Sequence, residues 1–273
     1  MPSVKVTEAI NLIKSSQKSS EVYVPSLKRN VKLKHLTAGQ QERFVKALVD
    51  NPAMQSVFLQ TLFSVIKENI EDKSIINQLT IIDKYAIGIA LRCMSLGSNL
   101  KTEVESEPGV IYNINLEEPL NFVQTQLILP DLDPIMVENY RIDLQYPTIH
   151  QEAMNDKHFK SDDLANNNTP ESLRAVISNA FISDVLLFIK TLTLVKEDGE
   201  ELVIDFNSIT IQEKLDIIRL LPNSIFENIL DPLSKVKSIV ESILKCRGVN
   251  EKDDSIRRSI LVSFDASLFI TAI

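Results

Sequence analysis

The stretch covering residues 21–97 constrains the fold most, because two kinds of hydrophobic periodicity follow each other in it. Apolar and polar residues alternate on both sides of residues 26–30, which predicts a β-hairpin. Thr37, with Gln40 three positions later, has the pattern of a capping box and predicts the start of a helix. Apolar residues then recur at helical spacing as far as Gly97, a residue suited to end a helix. We therefore predict a hairpin followed by three helices.

The remaining chain predicts two further regions. Strand-like segments interrupted by prolines lie between residues 101 and 146, and a polar stretch that predicts an exposed loop follows over 148–169. Beyond it, Thr169 is suited to cap a helix, residues 191–206 predict a hairpin, and two more helices lead to an alternating tail. The predicted class is α+β, predominantly helical, with helix-bundle elements and short antiparallel hairpins. The predicted regions are 1–100, 101–168 and 169–273.

Composition excludes several functional classes. The formal net charge is −8 and the sequence pI is about 5.1, whereas a dedicated nucleic-acid binder needs a concentrated cationic face. Only six glycines occur, which leaves little room for a loop that cradles a phosphate. No apolar run is long enough for a bilayer span, so we expect a soluble protein that binds neither nucleic acid nor a membrane. Two distant cysteines, Cys93 and Cys246, favour a reducing compartment.

No residue cluster predicts catalysis, and we expect neither an enzyme nor a cofactor. His150, Glu152 and His158 are residue types that can bind a metal, but their spacing does not repeat on one helical face. Asp131 and Asp133 flank one residue between two prolines, where turn chemistry explains them better than a hydrolytic pair does. A hydrolase that uses these two carboxylates remains an alternative prediction.

The apolar residues 266–273 suggest a segment that docks. Its docking site is either the protein's own core or a partner protein, and own-core docking is the better-supported alternative.

The amino-terminal motifs resemble those of a known family. A strand followed by Pro and Ser, a second strand, and then a helix that contains an Asp and ends in Leu-Arg-x-x-Ser-x-Gly is similar to the baseplate hub subunit family of T-even-like myophages. The residues that carry this resemblance are Pro25, Ser26, Asp83, Leu91, Arg92, Ser95 and Gly97. Arg92 is expected to anchor the helix end by bonding either to Asp83 or to a carbonyl.

The resemblance implies a structural or assembly component of a contractile phage tail baseplate that acts by binding other tail and hub proteins. Its location would be the virion tail baseplate, or the host cytoplasm during virion assembly. A tail assembly chaperone that is absent from the mature virion is the alternative within the same class. The aromatic side chains that we expect to anchor partners are Phe58, Phe63, Phe226 and Phe269.

Overall fold

A computed structural model describes residues 4–50, 55–104, 106–160 and 182–270. The chain forms two compact units, each assembled from separate segments. Unit 1 comprises Met1–Ile76, Asp83–Leu127 and Ile243–Ile273, and unit 2 comprises Asn77–Ile82 and Ile128–Ser242. In the described chain the α-helices are α1 Val4–Ser15, α2 Ala38–Asp50, α3 Gln55–Asn69, α4 Ile81–Leu96, α5 Glu117–Thr125, α6 Ile149–Lys160, α7 Ile211–Ile218 and α8 Asn223–Leu244. Residues 182–188 are also helical, and 3-10 helices span Lys73–Gln78 and Ala266–Phe269.

The strands of the described chain form three antiparallel sheets. They are β1 Ser19–Val24, β2 Arg29–Lys34, β3 Asn99–Val104, β4 Glu107–Asn115, β5 Ile135–Val137, β6 Tyr140–Leu144, β7 Ile189–Val195, β8 Glu201–Asp205, β9 Lys245–Asn250 and β10 Arg257–Leu261. Unit 1 contains the hairpin β1–β2 and a four-stranded sheet in the order β10-β9-β4-β3. Unit 2 contains a four-stranded sheet in the order β5-β6-β7-β8.

The prediction of a predominantly helical, bundle-like fold is therefore wrong. Two four-stranded antiparallel sheets organise the chain, and the strands that complete them come from distant positions. Strand β4 pairs with β9, with Ile114 opposite Gly248, so this sheet joins residues far apart in sequence. The residues of β9 directly follow α8 in the chain, and buried and exposed positions alternate along the strand. Which strand it pairs with depends on the whole fold and is not contained in the local sequence.

Helix α6 is the second difference from the predictions. Residues 149–160 are helical, whereas the sequence predicted an exposed polar loop over 148–169. Thr148 and Gln151 bond reciprocally: each backbone N–H donates to the side-chain oxygen of the other, at 2.8 and 3.1 Å. This is the same capping box that starts α2, so the signal was present in the sequence. The rest of the predicted loop and the predicted cap at Thr169 lie outside the described residues.

Several local predictions are confirmed. Thr37 and Gln40 form a capping box at the start of α2, with bonds of 3.0 and 3.2 Å. Gly97 follows the last residue of α4 with a φ of 88°, in the left-handed region that favours glycine. The hairpin over residues 191–206 forms as β7 and β8. These features depend on contacts between neighbouring residues, and such contacts can be read from sequence.

The core of unit 2 lies between one face of its sheet and the helices packed on it. The buried side chains of this cluster are Ile142, Leu144, Val185, Leu186, Ile189, Leu192, Phe206, Leu215, Ile218, Leu221, Ile225 and Ile229. They come from β6, β7, the helical residues 182–188, α7 and α8, except for Phe206, which directly follows β8, and Leu221, which lies between α7 and α8. Burial of this many aliphatic side chains supplies the main stabilising term of the unit.

Candidate functional site

The carboxylate of Asp83 fastens the β1–β2 hairpin to helix α4. Asp83 is fully buried in the first turn of α4. Its Oδ1 accepts the backbone N–H of Ser26 at 2.9 Å, and its Oδ2 accepts the Ser26 hydroxyl at 2.5 Å. A negative charge near a helix N-terminus is also favoured by the helix dipole. One side chain therefore satisfies two donors in the hairpin turn while lying where the helix stabilises its charge.

The turn that Asp83 holds has a defined geometry. Pro25 is buried and its carbonyl accepts the N–H of Lys28 at 3.2 Å. Lys28 has a φ of 50°, which closes the turn in the left-handed region. Ser26 lies between these residues with its N–H directed at the carboxylate. The Pro-Ser pair thus shapes the turn and supplies the donors that α4 binds.

A second contact joins the end of the hairpin to the end of α4. The hydroxyl of Ser95 accepts the backbone N–H of Leu36 at 2.8 Å, two residues after β2 ends. Together with Asp83 near the start of the helix, Ser95 holds the hairpin at both ends of α4. We call these two contacts, Ser26–Asp83 and Leu36–Ser95, the hairpin clamp.

Arg92 secures the C-terminus of α4. Its Nη1 donates to the carbonyl of Gly97 at 2.7 Å. Of the two predicted partners, Asp83 or a carbonyl, the structure therefore shows a carbonyl. Arg92 is 5% exposed, and its Nε has no hydrogen-bond partner among the described residues. Burial lowers the pKa of this guanidinium, with the nearby Cys93 acting in the opposite direction. Leu91 is fully buried beside it.

An aromatic cluster in unit 1 contains two of the four predicted partner anchors. Phe269 is fully buried, and its ring stacks on that of Phe44 with centroids 4.2 Å apart. Phe58 is also buried, with its ring centroid 5.7 Å from that of Phe264. The segment Ala266–Phe269 therefore docks on the protein's own core. The other two anchors, Phe63 in α3 and Phe226 in α8, are half-buried.

The side chains that are candidates for chemistry are distributed over both units. Asp131 and Asp133 are both exposed and line a groove of about 470 Å³ in unit 2, beside α8. Burial raises the pKa of Cys93 to about 11 and that of Cys246 to about 12, so both thiols stay protonated at neutral pH. Within the described chain, no group of three or more His, Cys, Asp and Glu side chains could hold a metal ion. His150 is the second residue of α6, and the side chain of His158 lies outside what is described.

Comparison with known proteins identifies the family. The T4 bacteriophage base plate protein family matches the chain over residues 16–264. The chain belongs to this family. No curated protein and no solved structure matches it. Membership indicates a structural protein of the phage baseplate, which associates with other baseplate proteins.

The matched region of this baseplate protein includes the hairpin clamp, both four-stranded sheets and the stacked Phe44. None of the described helices is long and apolar enough to cross a membrane. The sequence motifs contain Ser26, Asp83 and Ser95 as separate signature residues. The contact of Ser26 with Asp83 and that of Ser95 with the backbone of Leu36 are visible only in the folded chain.

The baseplate protein also exposes apolar side chains on helix α2. Val45, Leu48 and Val49 recur at helical spacing and are 39%, 36% and 69% exposed. Phe44 and Ala47 of the same helix are buried. The apolar face of α2 is therefore broader than the part that the core of unit 1 covers.

Helix α2 is also held firmly in place. Gln40 and Asn69 exchange two amide hydrogen bonds of 3.0 and 3.1 Å between α2 and α3. Arg43 binds Glu68 through both of its terminal nitrogens, at 2.9 and 2.5 Å. The Arg43 hydrogen bond lowers the pKa of the Glu68 carboxyl, opposed in part by its burial. Bidentate pairing of this kind fixes the orientation of a helix as well as its position.

Proposed function

We propose that this protein is a component of the baseplate hub, or a factor in hub assembly, and that it acts by binding other tail proteins. The family match over residues 16–264 carries the proposal. Its mode of action is non-enzymatic: recognition of neighbouring proteins through apolar side chains surrounded by polar groups. The proposed sites of action are the virion baseplate and the cytoplasm of the host during assembly.

Two features of the described chain support a binding role. Helix α2 carries the exposed Val45, Leu48 and Val49, and its position is fixed by the Gln40–Asn69 and Arg43–Glu68 contacts. A rigidly held apolar surface loses little conformational entropy when a partner covers it. The two remaining candidate anchors, Phe63 and Phe226, are half-buried.

The signature residues have a supporting role in this proposal. Asp83 and Ser95 hold the hairpin on α4, and Arg92 holds the end of that helix. We assign them the positioning of the binding surface and no direct contact with a partner, because Asp83 and Arg92 are buried.

Co-expression with the other tail proteins of the same phage tests the proposal. The protein should co-purify with at least one of them, and the double variant Val45→Asp/Val49→Asp should reduce recovery of that partner at least about tenfold. Leu220→Asp is the matched control, because Leu220 is 84% exposed on unit 2. Failure of the protein to bind any tail protein would contradict the proposal. Equal loss in the control and the double variant would contradict the assignment to α2.

A hub subunit and an assembly chaperone differ in whether they remain in the particle. Mass spectrometry of purified virions separates the two roles, since a chaperone is absent from them. The hydrolase alternative predicts that Asp131→Asn/Asp133→Asn abolishes complementation of a phage lacking this gene. The proposed binding role predicts full complementation by the same variant.

A further inference from the structure

Strand β8 lies at the edge of the four-stranded sheet of unit 2. The sheet order is β5-β6-β7-β8, so β8 pairs with β7 on one side, and no other described strand pairs with it. The opposite edge, β5, has only three residues. A strand at an edge presents backbone donors and acceptors that can accept a further strand.

The register shows which backbone groups face outward. Leu202 lies opposite Leu194 and Ile204 opposite Leu192. Bonds from Lys196 N to Glu200 O and from Phe206 N to Lys190 O fix the hydrogen-bonded pairs at the even-numbered positions of β8. Hydrogen-bonded and non-hydrogen-bonded pairs alternate in an antiparallel ladder. The N–H groups of Glu201, Val203 and Asp205 therefore point away from β7.

The outer edge of β8 is apolar in its centre. Leu202 is 49% exposed and Val203 is 57% exposed, and consecutive strand residues face opposite sides of a sheet. Leu202 is paired with Leu194, a side chain that packs against the core of unit 2. Val203 lies on the other face. An added strand would therefore cover apolar surface on both faces at once.

The flanks of β8 are acidic. Glu201 and Asp205 lie at its two ends and are both exposed. Glu200 precedes them and is paired with Lys196 at 2.8 Å. Antiparallel pairing of β8 with β8 of a second copy, centred on Val203, would place Glu201 opposite Asp205. Like charges directly opposite each other destabilise a strand pair, so the edge disfavours a second copy and favours a cationic partner.

We propose that β8 is a docking edge that accepts an extended segment of another protein, with an apolar, β-branched centre and Lys or Arg at both flanks. The segment adds as a fifth strand beside β8 and bonds to the outward N–H groups of Glu201 and Val203. Its cations lie against Glu201 and Asp205. This inference rests on the proposed protein-binding role and assigns one class of partner to one edge of unit 2.

Two synthetic peptides test the proposed preference for a segment with cationic flanks. One alternates valine and threonine between lysine pairs, and the other has glutamate in place of each lysine. The lysine peptide should bind the full-length protein with a Kd below about 1 mM, and the glutamate peptide at least about tenfold more weakly. Binding should slow amide hydrogen exchange at Glu201 and Val203. The double variant Glu201→Lys/Asp205→Lys should reverse the preference.

Proline substitutions test the backbone geometry. Val203→Pro removes an outward N–H and leaves the bonds to β7 intact, because proline is tolerated where the missing donor faces solvent. This variant should have an unchanged circular dichroism spectrum, and its affinity for the lysine peptide should be at least about tenfold lower. Ile204→Pro is the matched contrast, since it removes a donor to β7 and should destabilise unit 2 itself.

Three results would overturn the inference: equal affinity for both peptides, unchanged affinity in Val203→Pro, or concentration-dependent self-association that Val203→Pro abolishes. Recovery of tail proteins in the co-expression assay separates this inference from the proposed function. If the Val203→Pro variant still bound the lysine peptide and still co-purified with tail proteins, the docking edge would be wrong and the proposed function would stand.

Discussion

Replacing Asp83 with Asn should release the hairpin from helix α4. The carboxylate accepts two bonds from Ser26 and is fully buried. Asn keeps one acceptor oxygen and brings an amide N–H towards a donor, so one charge-assisted bond is lost and a donor is left unpaired. Hydrogen bonds to charged groups contribute about 1.5–3 kcal/mol each, so we expect Asp83→Asn to cost about 2–4 kcal/mol.

Hydrogen exchange measures this loss locally. The amides of Val22 and Val31 lie opposite each other in the hairpin. If the hairpin opens as a unit, lowering its free energy of opening by about 2–4 kcal/mol should speed the exchange of these amides about 30- to 800-fold. Ser26→Ala removes only the hydroxyl donor and should cost about 1–2 kcal/mol. Because both variants remove the same bond, their double variant should lose about 1–2 kcal/mol less than the sum of the two.

Asp72→Asn is the control for this experiment. Asp72 also contacts the hairpin, through Arg29 at 3.3 Å, but both side chains are about half exposed. Exposed ion pairs contribute little to stability, so this variant should leave exchange at Val22 and Val31 almost unchanged. Comparable effects of Asp72→Asn and Asp83→Asn, or strict additivity of the Ser26 and Asp83 variants, would refute the clamp.

Three further outcomes follow from the packing of unit 1. The pKa of Glu68 is lowered from 4.5 by its arginine partner. The stability that this carboxylate contributes is therefore present above pH 4.5 and is lost as pH falls through the folded-state pKa. Glu68→Gln should flatten that part of an acid-unfolding curve. Gly88→Ala should cost about 1–3 kcal/mol by urea unfolding, because the added Cβ would lie 2.6 Å from the ring of Phe264, whereas Gly39→Ala, with nothing within 4 Å, should not destabilise α2. Phe269→Ala should cost about 3–5 kcal/mol by the same measurement, and stability equal to the parent protein would contradict own-core docking.

The sequence by itself determined the features in which nearby residues contact each other. The capping box at Thr37, the end of α4 at Gly97 and the β7–β8 hairpin each depend on residues within a few positions of each other. The same signal at Thr148 would have identified α6. The resemblance to a baseplate family also came from short local motifs, and the family match confirms it at that level.

Only the tertiary structure decided which distant segments meet. Strand β9 is identified by its pairing with β4, and Ser26 meets Asp83 across 57 positions. Phe269 could anchor a partner or fill the core until its stacking on Phe44 is seen. A residue's type specifies what it can bond or bury, but pairing across a sheet and packing in a core depend on positions fixed by the whole fold. Local hydrogen bonds and the β7–β8 hairpin were therefore predictable, while the pairing of distant strands and the clamp were not.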